Sequence, residues 1–309
     1  MLCHLCPREC GAERTETFGA GLCRMPFAPV LAKVMLHEWE EPCLSGAKGA
    51  GAVFFSGCNL RCRFCQNMQI SHDGFGKTVS VARLRAIFEE LVASGASCLD
   101  LVTPTPFTPM ILEALSEKRW DVPVVWNCGG YEKVEILRQL EGKVNVFLPD
   151  FKYALSEPAE KYSGARDYPE IAMAAIREMF RQTGPFRIEK GILRSGVLIR
   201  HLVLPGELEN TRRCLEWIAR TFSPGDVLVS LMSQYTPQGE SEGALSRPVS
   251  AREYERALDW LEEFGIEDGF TQEPDSASSG YTPVFDLQGV EAVLPEKHST
   301  GVGHENPDV

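Results

Sequence analysis

The chain has 309 residues, 44% of them hydrophobic, and a formal net charge of −12. That is enough apolar material for one large α/β domain or two smaller ones, while the acidic balance disfavours nucleic acid, whose phosphates call for a basic surface. Apolar runs stay below the roughly 18 residues of a membrane span, and Met1-Leu2-Cys3-His4-Leu5-Cys6-Pro7 lacks the charged and apolar regions of a signal peptide. Eleven cysteines without an export signal point to metal binding in a reducing compartment, hence the cytoplasm.

Residues 1–45 read as a small cysteine-rich extension. Cys3, Cys6, Cys10 and Cys23 follow the spacing C-x2-C-x3-C-x12-C, and Pro7, Gly11, Gly19 and Gly21 break the backbone as tight ligand loops require. Little here is apolar enough to form a core, so a metal would supply folding energy that burial cannot. Four thiolates suit a tetrahedral zinc or an auxiliary iron–sulfur cluster, and spacing does not separate the two. Unliganded thiols are the alternative. A short strand is expected over 30–34. Glu38, Glu40 and Glu41 ahead of Pro42 read as a solvated turn, and Cys43 as a buried or structural thiol.

From Ala50 onward, short apolar runs alternate with longer amphipathic ones, the rhythm of βα units on a parallel sheet. Strands are expected at about 50–55, 98–102, 122–126, 144–148, 196–203 and 226–232. Helices are expected at about 80–94, 110–115, 132–140, 168–183, 211–219 and 250–264, the last opened by a capping box of Ser250 and Glu253. Six units suit a partial (β/α)6 barrel over residues 46–285, or an open six-stranded sheet of another order. The stretch 286–309 has no period and reads as a loose tail.

The first of these strands runs into Ser56-Gly57-Cys58-Asn59-Leu60-Arg61-Cys62-Arg63-Phe64-Cys65-Gln66-Asn67. Three thiolates this close can converge on one inorganic centre and leave one iron of a four-iron cluster without a protein ligand. A zinc knuckle completed by His72 is the competing reading. Strand C-termini are where ligands bind in parallel α/β folds.

C-x3-C-x2-C directly after a strand, with Phe64 before the last cysteine, resembles the radical S-adenosylmethionine (SAM) enzymes. The resemblance covers about residues 30–285 and implies a partial TIM-like barrel. It also implies a [4Fe-4S] cluster on Cys58, Cys62 and Cys65, whose fourth iron chelates SAM. One electron then cleaves SAM to methionine and a 5'-deoxyadenosyl radical that abstracts hydrogen from a substrate. A flavodoxin or ferredoxin is the implied one-electron donor. Thr103-Pro104-Thr105 occupies the position of the family's glycine-rich motif beside the SAM amino group, a departure that Thr103 and Thr105 can meet with hydroxyls and carbonyls. Asp150 and Lys152 resemble an Asp-x-Lys near SAM in activases of glycyl radical enzymes. Leu204-Pro205-Gly206 resembles an adenine-cradling loop. Asn127, Arg200, His201, Ser230 and Gln234 end expected strands and are candidates for the polar wall.

Cys6-Pro7-Arg8-Glu9-Cys10-Gly11, Leu36-His37 with Trp39-Glu40-Glu41-Pro42, and Phe64-Cys65-Gln66-Asn67 are most similar to the pyruvate formate-lyase activating enzyme-like branch. That resemblance implies a protein or peptide substrate, with a glycyl radical enzyme as a candidate partner. A small-molecule substrate is the alternative within the family. A non-enzymatic metal or electron-relay protein is the alternative outside it, and would need no SAM cavity.

Overall fold

The computed structural model describes residues 2–238, 243–272 and 283–291. Ten strands form its sheet: β1 Val30–His37, β2 Ala50–Phe55, β3 Lys77–Thr78, β4 Leu99–Val102, β5 Val124–Cys128, β6 Val146–Pro149, β7 Arg187–Glu189, β8 Ile192–Leu202, β9 Leu228–Met232 and β10 Gly269–Thr271. Their order is β10-β9-β8-β6-β5-β4-β2-β1-β3, with β7 hairpinned onto β8. Along that order every pairing from β2 to β10 is parallel, the β7–β8 hairpin is antiparallel, and β1 runs antiparallel to both β2 and β3. The fold is therefore α/β with a mostly parallel central sheet, curved as a partial TIM-like barrel.

Period-2 alternation builds the interior in layers. Val125, Val146, Leu148, Leu198 and Leu228 make a buried apolar floor, closed by Cys43 and Leu44 of the short helix Pro42–Ser45. Two residues further along the strands stand Asp100, Asn127 and Arg200, a buried or half-buried polar layer. Beyond it Val102, Leu202 and Met232 reach the C-terminal mouth. The outer face packs against amphipathic helices: Leu84, Ile87 and Phe88 from Val81–Ala93, Ala172, Ile176 and Met179 from Tyr168–Thr183, and Leu215 and Ile218 from Leu208–Thr221 are buried. The helix Ala251–Glu263 carries the capping box at Ser250 and Glu253. Among the described residues no helix is long and apolar enough to cross a membrane.

Several expectations need correction. β8 starts at Ile192, because its first residues pair with β7. β10 and the helix Ser156–Ser163 were not legible, the first being three residues long and the second of mixed polarity. The helix expected at 132–140 is one short turn, Val134–Leu137, running into the 3₁₀ turn Arg138–Leu140. The acidic turn is solvated only at Glu38, which is exposed; the Glu41 carboxyl is buried and Glu40 nearly so.

The stretch expected to be loose from residue 286 is tied down as far as 291. Leu287 N–H donates to the Ala32 carbonyl at 3.0 Å, Val34 N–H to that of Gln288 at 2.8 Å, and Lys33 pairs with Asp286 at 2.9 Å. Phe285 and Val290 are buried against β1 and its neighbours. Residues 292–309 lie outside the described residues.

Candidate active site

β2 is buried along its whole length and delivers the cysteine loop to the C-terminal mouth of the barrel. Gly57, at φ +78°, turns the chain there; a Cβ would sit 2.2 Å from Met25 Cγ. Cys58, Cys62 and Cys65 then face one cavity of about 180 Å³. Each sulfur meets donors: Leu60 N–H reaches Cys58 Sγ at 3.4 Å, Ser163 Oγ donates to Cys62 Sγ at 3.0 Å, and Ser71 Oγ donates to Cys65 Sγ at 3.3 Å. Burial pushes the Cys62 thiol up to about 12 despite nearby Lys152, and raises that of Cys65. Buried thiols with donors already aimed at sulfur are suited to ligating a metal, which reverses the burial effect by binding the thiolate.

Phe64 lines the cavity inside an aromatic collar, with ring centroids 6.3–6.5 Å from Tyr162, Tyr153 and Tyr235. His72, the alternative zinc ligand, instead shares a 2.8 Å hydrogen bond with Ser71 Oγ.

The opposite wall is a charge network. Arg200 donates to Asp150 and to Glu40, each at 3.2 Å, and to Asn127 Oδ1 at 2.6 Å. Lys152 Nζ meets Asp150 Oδ2 at 2.5 Å. Burial alone would raise Asp150, but Lys152 and Arg200 outweigh it and hold the carboxyl below its ordinary range. Burial alone would discharge Lys152, but Asp150 and Cys62 raise it, so it stays an ammonium. Asp100 accepts from Asn127 at 3.3 Å and is pushed well up by burial and by Glu40. Burial likewise lifts Glu41 to about 7. One guanidinium thus serves several carboxyls, and those nearest the floor are held toward the neutral form.

Thr103, Asn127, Asp150, Lys152 and Arg200 all line this cavity. Thr103 sits at φ +59°, its N–H donating to the Asn127 carbonyl at 2.8 Å. Other candidates lie elsewhere. Thr105 Oγ1 donates to buried Glu132 at 2.6 Å and faces the N-terminal cysteines. His201 is fully buried between the Phe151 carbonyl and Thr211 Oγ1, with its pKa lowered to about 4 by burial. Leu204 is buried in the core, and Gly206 N–H donates to Glu253 Oε1, so that loop is taken up by the helix Ala251–Glu263. Ser230 bonds the Glu41 carboxyl below the cavity. Gln234 does line the mouth, with Gln66, Thr236 and Gln238.

Gly129 also lines the cavity, whereas Gly130 is structural: a Cβ there would meet the Asp150 carbonyl at 2.4 Å. Ser71 and Ser163 were missed. Ser71 follows Cys65 by six residues without a motif to mark it, and Ser163 is 101 residues from Cys62 and reaches it only through the fold.

Cys3, Cys6, Cys10 and Cys23 gather around a second, smaller cavity, whose other walls include Arg14, Asn59 and Thr105. Among the described residues no three His, Cys, Asp or Glu side chains already converge at single-ion spacing, and this holds for both cysteine groups.

Residues 52–218 match the Radical SAM superfamily. The chain is 30% identical over 277 residues to the uncharacterized protein MJ0674 of Methanocaldococcus jannaschii, covering 86% of this chain and 75% of that protein. Among solved structures it resembles Streptococcus suis SuiB bound to S-adenosylmethionine, with a TM-score of 0.50, 12% identity and 70% of this chain covered. SuiB bound to its precursor peptide SuiA superposes with a TM-score of 0.47 at 10% identity. The chain spans about half the length of these SuiB chains, 48% and 47% respectively.

Proposed function

The chain belongs to the radical SAM superfamily, and on that premise we propose that Cys58, Cys62 and Cys65 hold a [4Fe-4S] cluster and that the cavity they face binds SAM. The observation that carries this reading is three thiols of one strand-end loop, each with hydrogen-bond donors, facing a charged ammonium across one cavity. When bound and reduced, the cluster supplies reductive cleavage of SAM and a 5'-deoxyadenosyl radical.

This chain's own residues do the positioning. Lys152, held charged, is the partner for the SAM carboxylate. Asp150, held ionised, orients Lys152 and Arg200 and can accept from a ligand hydroxyl or ammonium. Asn127 and the Thr103 backbone supply neutral polar contacts on the same wall. The collar of Tyr153, Tyr162 and Tyr235 around Phe64 keeps the loop rigid and limits water near the reacting atoms.

For the substrate we propose a peptide or protein segment, with a glycyl radical enzyme as one member of that class. Support comes from the mouth, where Gln66, Gln234, Thr236 and Gln238 present amides and hydroxyls. These match peptide N–H and C=O groups better than a charged metabolite. The full charges of this wall, Asp150, Lys152 and Arg200, lie deeper and are engaged with one another.

Anaerobic reconstitution with reductant, SAM and candidate polypeptides tests both parts. Deoxyadenosine is expected, with a glycyl or other carbon-centred radical, or a mass change, on the polypeptide. Absence of deoxyadenosine from a protein with a full iron complement would defeat the first part. Turnover on a small molecule with none on any polypeptide would defeat the second.

A further inference from the structure

The N-terminal segment, 2–29, is unused by that reading, yet one of its side chains reaches the back of the Cys58 loop. The segment contains no helix among the described residues and is stitched by two isolated bridges, Leu2 to Glu13 and Arg14 to Gly19. It packs against Gly57: the Cys23 carbonyl lies 3.0 Å from where a Cβ of that glycine would stand. Arg8 leaves the segment at a turn closed by Glu9 N–H on the Cys6 carbonyl at 3.1 Å, with Glu9 at φ +43°. Glu9 in turn pairs with His4 at 2.9 Å and with Lys133, which ties the turn to the loop after β5.

The Arg8 guanidinium donates to carbonyls of two segments remote in sequence. Its Nε meets the Asn59 carbonyl at 2.8 Å, its Nη2 those of Ser163 at 2.8 Å and Leu60 at 3.4 Å, and its Nη1 that of Gly164. The group lies 5.2 Å from the centroid of the Tyr131 ring, and the Tyr131 carbonyl accepts from the Asn59 side chain at 2.6 Å. Ser163 ends the helix Ser156–Ser163, and Gly164 caps it in the left-handed conformation at φ +55°. The last carbonyls of a helix have no partner within it, so a cation with several donors suits that end. Spanning both segments takes a planar fork, which an arginine has and a lysine lacks.

Two of these carbonyls belong to groups whose other end meets a sulfur. The Asn59 C=O and the Leu60 N–H are one peptide plane. Arg8 donates to its oxygen, and its hydrogen points to Cys58 Sγ at 3.4 Å. Ser163 offers Arg8 its carbonyl and Cys62 its hydroxyl, at 3.0 Å from Sγ. A guanidinium on a peptide oxygen fixes that rigid plane and, by polarising it, strengthens the hydrogen bond of its N–H. One half-buried side chain thus stands behind one donor to each of two cysteines.

We infer that Arg8 is a positioning residue for the Cys58 loop: it aims the Leu60 N–H at Cys58 and the Ser163 hydroxyl at Cys62, and so raises the reduction potential of the cluster these thiolates hold. The cluster itself rests on the reading of Cys58, Cys62 and Cys65 given above. Donors to a cluster sulfur favour its reduced, more negative state. Arg8 acts through the two donors, not on the sulfurs. A side chain that merely anchored the N-terminal segment would stabilise the fold and leave the potential unmoved.

The full chain and its Arg8→Lys and Arg8→Met variants, reconstituted anaerobically with iron and sulfide, test this in a redox titration followed by electron paramagnetic resonance. The signal followed is the one that addition of SAM changes. Arg8→Lys keeps the charge and loses the fork. Both variants are expected to weaken reduction about tenfold, the scale of one or two lost hydrogen bonds. For one electron that is a shift of about 59 mV to lower potential. A potential in Arg8→Lys equal to that of the unsubstituted chain overturns the inference; should Arg8→Met fold poorly, Arg8→Lys carries the test alone. On a Ser163→Ala background, Arg8→Lys is expected to shift the potential less than it does alone, and an equal shift overturns the route through Ser163. Absence of any SAM-sensitive signal from the unsubstituted chain would instead defeat the reading of Cys58, Cys62 and Cys65.

Discussion

The two cysteine regions use one residue type on opposite kinds of support. The Cys58 loop grows from a strand with every residue buried, and it is held by an aromatic collar and by hydroxyls from two other segments. The 2–29 segment has isolated bridges, exposed apolar side chains and a few arginine contacts. A loop on a packed strand keeps its shape whether or not it is loaded, because burial has already fixed it. A segment with almost no core of its own is held by fewer contacts and opens more readily.

The thiolates of the Cys58 loop carry the largest expected effect. Cys62→Ala is expected to remove the cluster of the Cys58 loop and reduce SAM cleavage to background, with the sheet's circular dichroism unchanged. Loss of the sheet signal would mean the loop is structural.

Next is the buried network beneath it. Arg200→Met strands Asp150 and Glu40 without their guanidinium and is expected to cost about 3–5 kcal/mol, read as a lower denaturant midpoint. Lys152→Met removes one of the two cations on Asp150 and is expected to weaken SAM binding about 10–100-fold with a smaller effect on stability. Equal affinity in the variant would take Lys152 out of the SAM site.

Native-state opening separates the regions more gently. Amide exchange and protease cutting are expected to be faster within 2–29 than in β4, β5 and β6. Uniform loosening of the whole chain would contradict the contrast.

A smaller effect is expected from pH. Burial raises Glu132 to about 8 in the folded chain, above its ordinary 4.5. Between those values the folded protein holds this proton and the unfolded chain has released it. The resulting stability is complete below about pH 4.5 and is lost as pH rises toward 8. Glu132→Gln is expected to flatten that slope in pH-dependent unfolding, and an unchanged slope would assign it to Glu41 or Asp100.

The smallest change is Ser163→Ala, which deletes the 3.0 Å donor to Cys62. It is expected to cost about 1 kcal/mol and to lower the reduction potential of a cluster there, since donors to sulfur favour the reduced state.

Six of the parallel strands were legible because each is a short apolar run between amphipathic helices, a pattern that burial on both faces imposes. β7 and β10 were not, being three residues long and mostly exposed. The cysteine loop was legible because its ligands are local in sequence. Asp150, Lys152 and Arg200 could be suspected from their positions at strand ends. His201 is the counterexample: it neighbours Arg200, but period-2 alternation turns it out of the barrel into the core. Thr105 likewise follows Thr103 by two residues, but the turn at Thr103 sends it to the other cysteine group.

By itself the sequence determined the rhythm of βα units, the three-cysteine loop after the first of them, and a second group of cysteines close enough to act together. Those are properties of spacing and periodicity, which local chemistry sets. Only the tertiary structure decided that Ser163 and Ser71 serve the sulfurs of that loop, that Glu40 and Glu41 belong to a buried charge layer, that residues 286–291 cover β1, and that Cys23 backs onto Gly57. Each joins groups far apart in the chain or turns a side chain inward, and curvature of the sheet, rather than any local preference, makes them neighbours.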